Sequence, residues 1–389
     1  MFLKVNRDEI IEGLQKSANI IPAKTGAAFL RTIWLQCENG NLNVMSTDSN
    51  LEFRGAYPAS IEGEGLAGVQ GRAFYDLVKQ LRSKQGELTI RTDDDSANVV
   101  VEQGARKYKF PVNDPEWFQK FSTFPENGTV FWSGDFLHEI IEKIAFCISD
   151  EDSMEAIACI YIAPREVAGD KKVEVCGLNG HQFAMFNFVN DDIYNMLPED
   201  GVLIQKKYLS ELKKWLTADE IELAISDKRL FFRTGDQRET FTLPLSYYQY
   251  PNYQNFLAKL NDPDVSKLEV NRLEMVDALS RVSLFNTDSN RCAYFTFDGS
   301  EVLVSAQGQE TGTARESLDA TFSGDMKRIA FPTRNLIDIL NHFNSDTVTF
   351  TLTGTEAPCG VSGPDDKDYQ VIVMPMMIQE ETYYTEENA

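Results

Sequence analysis

The feature that most constrains this chain is repetition at a long period. Leu3-Lys4-Val5-Asn6-Arg7-Asp8-Glu9-Ile10-Ile11 returns as Leu268-Glu269-Val270-Asn271-Arg272-Leu273-Glu274-Met275-Val276. In both copies an extended piece runs into Asn, with Glu three residues later, the signature of a capped helix start. Ile10, Ile11, Leu14 and Ala18 then mark one helical face, matched by Met275, Val276, Leu279 and Ser283. A weaker middle copy begins at Trp132, with Asp135, Leu137, Ile141 and Ala145 in the corresponding places. A second helix also repeats: Arg72 to Leu81, Lys207 to Leu216 and Arg334 to Phe343 align without gaps, their starts 135 and 127 residues apart. Leu88-Thr89-Ile90, Leu223-Ala224-Ile225 and Phe350-Thr351-Leu352 follow them as strand pieces at the same two spacings.

Each period reads as strand, helix, strands, then helix, strands. Strand pieces alternate, as in Leu42-Asn43-Val44-Met45 and Leu230-Phe231-Phe232-Arg233, with Asn39-Gly40 and Asp298-Gly299 as turns. A unit of roughly 130 residues is too long for a solenoid repeat, so the expectation is three tandem domains of one α+β fold. Turn-rich polar stretches at Pro125-Glu126-Asn127-Gly128 and Asn261-Asp262-Pro263-Asp264 set the boundaries, giving domains 1–125, 126–262 and 263–378. The remaining residues, 379–389, carry four glutamates without periodicity and read as a disordered acidic tail.

No apolar run is longer than the eight residues from Ala156 to Ala163, which excludes a membrane helix of ~20 residues. Lys4, Arg7, Asp8 and Glu9 stand where a signal peptide needs apolar residues, so a cytoplasmic location is expected. Cys37, Cys147, Cys159, Cys176, Cys292 and Cys359 show no C-x-x-C spacing and read as reduced core thiols. His138, His181 and His342 lie far apart without a zinc or triad spacing, and no metal or other cofactor is expected. Gly104, Gly308 and Gly312 make no phosphate-binding signature. Gly177-Leu178-Asn179-Gly180-His181 could offer His181 as a general base, but no nucleophile or carboxylate is fixed beside it. A turn serving binding or packing is the better reading there.

The net charge of −23, taken alone, speaks against nucleic acid. The second helices point the other way. Arg72 and Lys79 project from the face opposite Phe74, Leu77, Val78 and Leu81, and Lys207 and Lys214 occupy the same places opposite Leu209, Leu212 and Leu216. Arg82, Lys84, Lys206 and Lys213 add to them, whereas the third copy keeps Arg334 and has Asn341. Positive charge gathered on equivalent helices of an acidic protein is aimed at an anion or is simply a solvated face. Without stacking aromatics or a recognition helix, any nucleic-acid contact would be to phosphates and independent of sequence.

The chain resembles the bacterial DNA polymerase III beta subunit, the replicative sliding clamp, over roughly residues 1 to 378. The likeness rests on Leu35-Gln36-Cys37-Glu38-Asn39-Gly40 with Thr47-Asp48-Ser49, on Asn179-Gly180-His181-Gln182, on Tyr250-Pro251-Asn252-Tyr253 and on Val373-Met374-Pro375-Met376, in the family's order. It implies the DNA-clamp fold in three tandem domains, two helices and antiparallel sheets each, closing as a head-to-tail dimeric ring. It also implies a non-catalytic processivity factor that encircles double-stranded DNA without sequence preference. Its partners would be the replicative polymerase catalytic subunit, the clamp loader and repair factors, with no membrane. Lys24, Arg72, Lys79, Lys207 and Lys214 are then the expected duplex contacts. In the homodimer, Phe110, rimmed by Arg106, Lys107 and Lys109, would meet Leu284 and Phe285. The acidic side there is thin, with Glu310 and Glu316 interrupted by Arg315.

A groove for partner peptides would be walled by Ile157, Leu178, Phe183, Pro251, Phe256, Ile372, Met374, Pro375 and Met376, with Gly180, His181 and Gln182 at its rim. Polarizable methionines suit several ligands, although they could equally pack a core. The family commonly reads Asp-Gly-His-Arg at that rim. Asn179 and Gln182 lose both charges, and the acidic tail starting soon after Met376 is expected to repel acidic peptides. The alternative function is a clamp-like scaffold that binds proteins with little DNA engagement.

Overall fold

The computed structural model describes residues 1–22, 27–81, 86–167, 169–217, 219–288, 290–299, 301–308 and 310–378. Lys24, Arg82, Lys84 and the acidic tail therefore lie outside the described residues. The helices are α1 (Arg7–Ile20), α2 (Gly71–Gln80), α3 (Gly134–Ala145), α4 (Asp191–Met196), α5 (Lys206–Trp215), α6 (Gln254–Leu260), α7 (Arg272–Ser283) and α8 (Thr333–Asn341). The second helices begin within a residue of their expected starts.

Side-chain caps explain where the first helices begin. Asn6 accepts from the Asp8 N–H at 2.9 Å, Asn271 from the Glu274 N–H at 3.1 Å, and Ser133 from the Phe136 N–H at 3.2 Å. Ser133 thus does in the middle copy what asparagine does in the others. The repeat also shows in one backbone bond: the first residue of α1, α3 and α7 donates to the carbonyl just before the strand after the second helix. The pairs are Arg7 to Gly86 at 2.6 Å, Gly134 to Asp219 at 3.1 Å and Arg272 to Asp346 at 2.8 Å. Gly134 is required by this approach, since a Cβ there would lie 2.1 Å from the Thr217 carbonyl oxygen.

The strand after each second helix departs from the expected alignment. Val5 lies opposite Leu88, Trp132 opposite Ile221 and Val270 opposite Val348, so the equivalent of Leu88 is Ile221, two residues before Leu223. A two-residue offset keeps every side chain on the same face, which is why the hydrophobic pattern does not reveal it.

By contact the chain divides into two compact units: Met1–Ile141 with Asn190–Tyr247, and Glu142–Val189 with Tyr248–Ala389. In the first, five strands run in the order Ser60–Gly63, Phe2–Asn6, Glu87–Thr92, Asn98–Gln103, Arg106–Pro111. An eight-stranded antiparallel sheet joins Val130–Ser133, Glu220–Ser226, Arg229–Thr234 and Glu239–Pro244 to Glu52–Pro58, Asn41–Thr47, Thr32–Glu38 and Gly65–Gln70. Its central seam, Phe241 opposite Phe53, makes one sheet out of two repeats. α1 packs on α2 and over the strands Asn41–Thr47 and Glu52–Pro58, burying Ile10, Leu14 and Ala18.

The second unit does the same. Cys159–Val167, Asp170–Leu178 and Gln182–Phe188 continue through Tyr369–Val373 into Cys359–Ser362, Thr347–Leu352, Ser266–Asn271 and Ala320–Ser323. A four-stranded sheet, Gly312–Leu318, Glu301–Gly308, Cys292–Asp298, Arg328–Pro332, completes it.

Each seam carries a buried ion pair capped by a tyrosine. In the first unit Lys16 Nζ lies 2.6 Å from Glu239 Oε2, and the Tyr57 hydroxyl donates to Glu239 Oε1 at 2.8 Å. In the second, Lys143 Nζ donates to Asp366 Oδ1 at 2.9 Å and to the His342 carbonyl at 3.3 Å, 4.7 Å from the centre of the Tyr369 ring. Lys16 and Lys143 are each the tenth residue of their helix. All six cysteines are free and buried, and burial pushes the Cys37 and Cys359 thiols up to about 12.

Candidate DNA-facing helices and peptide groove

On α2 the apolar face buries Phe74 and Val78, leaving Leu77 half-buried. Lys79 is exposed, its ammonium 5.6 Å from the Tyr75 ring centre. Arg72 is different: half-buried, its guanidinium donates to the Ile21 carbonyl at 3.2 Å, and its Nε is buried without a partner. It is partly spent on holding the end of α1. On α5, Tyr208, Leu209, Leu212 and Trp215 are buried, so Trp215 rather than Leu216 anchors the helix, stacked on Phe241 at 5.8 Å. Lys207 and Lys214 are exposed, Lys214 pairing with Glu211 at 2.7 Å. On α8, Arg334 and Asn341 are exposed. Equivalent outward positions thus hold Lys79 and Lys214, with Arg72, Lys207 and Arg334 one turn-pair earlier.

The two candidate joint surfaces have contrasting exposure. Phe110 is half-buried, edge-on to Phe74 at 5.4 Å, while Leu284 is 74% exposed beside a half-buried Phe285. Lys107 pairs with Glu102 at 3.0 Å, and Arg281 holds Glu316 through two bonds of 2.9 and 2.7 Å. That hydrogen bonding from Arg281 keeps the Glu316 carboxyl below the usual carboxylate range, against a smaller opposing effect of burial.

The residues expected to line the groove all belong to the second unit. Asn179 makes its turn: its Oδ1 accepts from the His181 and Gln182 N–H groups at 3.0 and 2.8 Å, and Gly180 sits at φ +88°. Only an oxygen acceptor is needed there, so Asn serves without a charge. Gln182 is buried with its amide oxygen 3.4 Å from Asn179 Nδ2. His181 is exposed, and among the described residues its ring has no hydrogen-bond partner. The Met374 N–H donates to the His181 carbonyl at 2.9 Å and the Met376 N–H to the Ala330 carbonyl at 2.8 Å, pinning the Met-Pro-Met segment by its backbone.

Its side chains are therefore free to pack elsewhere: Met374 and Pro375 are half-buried, Met376 is 44% exposed and Met377 73% exposed. Phe256 and half-buried Pro251, Ile157 and Leu178 share the unit, whereas Phe183 and Ile372, expected as groove walls, are buried cross-strand partners. Met154, 44% exposed, and Met377 are further exposed methionines that the sequence pattern does not single out. Phe183 stacks on Tyr253 at 4.9 Å and Tyr250 on Tyr161 at 4.6 Å. Arg165 donates to Glu174 at 3.1 Å and to the Tyr161 and Tyr253 hydroxyls at 3.1 and 3.3 Å; the Tyr253 hydroxyl also donates to Glu174. The Tyr-Pro-Asn-Tyr segment is thus fixed from below by a buried polar cluster.

Basic residues stand at equivalent positions of α2, α5 and α8, and Phe256, Met376 and Met377 are exposed in the second unit. A family model for the DNA polymerase III beta subunit N-terminal domain matches residues 1–122, and one for its C-terminal domain matches residues 263–377. The chain is 26% identical over 395 residues to the beta sliding clamp of Streptomyces coelicolor, covering 97% of this chain and 100% of that one. It is 19% identical over 380 residues, with the same coverage, to that of Caulobacter vibrioides. The solved DNA polymerase III subunit beta clamp of Bartonella birtlesii, bound to griselimycin, superposes with a TM-score of 0.87 at 23% identity, covering 97% of this chain and all of that one. The chain belongs to the DNA polymerase III beta subunit family, and it is a replicative sliding clamp, a non-catalytic processivity subunit.

Proposed function

We propose that two copies of this clamp close head to tail around duplex DNA in the cytoplasm, with Lys79, Lys207 and Lys214, helped by Arg72 and Lys24, meeting phosphates. The observation that supports this is the exposure of Lys79, Lys207 and Lys214 at repeat-equivalent positions of a chain whose net charge is −23. Acid over the remaining surface keeps the duplex from adhering there. The ring holds DNA by topology, so single phosphate contacts stay weak and exchangeable and the clamp can move. Polymerase, clamp loader and repair factors dock their short tails in the Met374–Met376 groove, which raises the polymerase's effective concentration at the primer end. Leu284 and Phe285 of one copy cover Phe110 of the other.

The test compares a nicked circle with its linearised form: the loaded clamp stays on the circle and leaves the linear DNA. A protein that holds neither would be a scaffold without DNA engagement. Lys79→Glu with Lys207→Glu is the cleaner variant, because Arg72 also supports α1. Loading should drop, and the slope of affinity against log salt should fall by about one per lysine lost, with dimerisation and melting unchanged. Unaltered DNA association at low salt would mean these helices face elsewhere.

For the groove, Met374→Ala with Met376→Ala should weaken a polymerase-tail peptide by about 2 kcal/mol or more in calorimetry. Since Asn179 and Gln182 are uncharged, affinity should change little with salt. Unchanged affinity in the double variant would place the groove elsewhere.

A further inference from the structure

The last described residues run along an open sheet edge. In the four-stranded sheet of the second unit, Arg328–Pro332 is an outermost strand among the described residues. The Met376 N–H donates to the Ala330 carbonyl at 2.8 Å. Two residues on, Ile378 lines an open cavity of about 580 Å³ together with Lys327 and Arg328. The chain thus leaves antiparallel to that strand, heading for the two bases.

Lys327 and Arg328 are exposed, and neither has an ion-pair partner among the described residues. Arg328 is held over the Tyr294 ring, its guanidinium carbon 4.7 Å from the ring centre. Asp264 and Asp325 also line the cavity, and the rest of the lining is uncharged, so an acidic occupant is held only at Lys327 and Arg328. Beyond Ile378 the sequence reads Gln379-Glu380-Glu381-Thr382-Tyr383-Tyr384-Thr385-Glu386-Glu387-Asn388-Ala389, with four acids and no base.

We propose that this acidic segment docks back on its own chain, with Glu380 and Glu381 meeting Lys327 and Arg328.

Reach and tethering favour this occupant over any other. Glu381 is three residues past Ile378, which is at most about 11 Å of extended chain. Exposed ion pairs are weak one by one. A segment already attached at the cavity meets the bases at an effective concentration in the millimolar range, so weak contacts are enough to seat it. The outermost strand adds backbone groups, of which the Ala330 carbonyl is already taken by this same segment. A separate acidic peptide lacks the attachment and would have to displace the tail. Docking covers two bases that lie outside the helices proposed to face DNA and would otherwise offer phosphates a second seat. That consequence rests on the DNA reading above, whereas the docking stands without it.

The test uses the full chain with a fluorophore on Thr382→Cys, since the six native thiols are buried. In about 0.1 M salt the label should turn with the body of the protein and show high anisotropy. Lys327→Glu with Arg328→Glu should lower that anisotropy by about half, with melting unchanged. Lys327→Glu alone, which leaves Arg328 on Tyr294, should lower it part of the way. Adding Glu380→Lys with Glu381→Lys to the double variant should restore it, because both signs are then turned round. Salt at about 1 M, where the screening length shrinks to about 3 Å, should release the label in the parent. A label already loose in the parent overturns the docking. High anisotropy that survives reversal of both bases, or a loss that the glutamate reversal does not restore, overturns the site.

Discussion

Lys143→Met should cost about 3–5 kcal/mol of stability in urea denaturation, the largest loss expected from any one side chain of the two seams. The lysine is 6% exposed, and its ammonium is the charged partner of Asp366, itself 6% exposed. Removing it leaves a buried carboxylate whose other oxygen still receives the Asn344 and Ser345 N–H groups at 2.9 and 2.8 Å and the Ser345 hydroxyl at 2.7 Å. Adding Asp366→Asn should recover part of the loss by removing the stranded charge.

Acid probes the same site. Burial pushes the Asp366 carboxyl upward, but hydrogen bonds from Ser345 and Lys143 outweigh it and hold the group below the usual carboxylate range. A depressed carboxyl gives stability that is present above its unfolded value, near pH ~4, and is lost as pH falls through the lower folded value. Asp366→Asn should flatten the acid limb of the stability curve; an unchanged limb would mean the carboxylate does not hold the seam.

Leu284→Asp should raise the dimer dissociation constant by at least about a hundredfold, or ~3 kcal/mol, in sedimentation equilibrium. At 74% exposure the side chain contributes little to the fold of its own copy, so melting of the isolated chain should hardly move. In the proposed joint the carboxylate would replace an apolar contact with the Phe110 ring and lose its hydration there. A variant as dimeric as its parent would exclude this surface from the joint.

Repetition made the fold legible, because helix faces at 3.6-residue spacing and caps such as Asn6 and Asn271 are local signals. What stayed hidden depends on distant chain. The two-residue offset of Ile221 preserves the alternation by which strands are recognised in a sequence. Lys16 and Lys143 look like solvated helix lysines until chain over two hundred residues away supplies Glu239 from a strand or Asp366 from the turn before one. At the candidate sites, residue type did not reveal depth: Phe183 and Ile372 lie under the surface, and Arg72 gives a donor to the Ile21 carbonyl. The Asn179 turn was visible as a departure from the family pattern; that it costs the turn nothing follows only from which atoms accept.

The six shielded thiols make this chain a silent background for sulfur chemistry. Thiolates are what maleimides attack, and burial suppresses them. A single cysteine introduced at an exposed place, Lys79 on the proposed DNA-facing helix or Met377 beside the proposed groove, would take up a fluorophore alone. One wild-type background would then report DNA passage and tail docking as separate optical signals, without first stripping the native cysteines from the core.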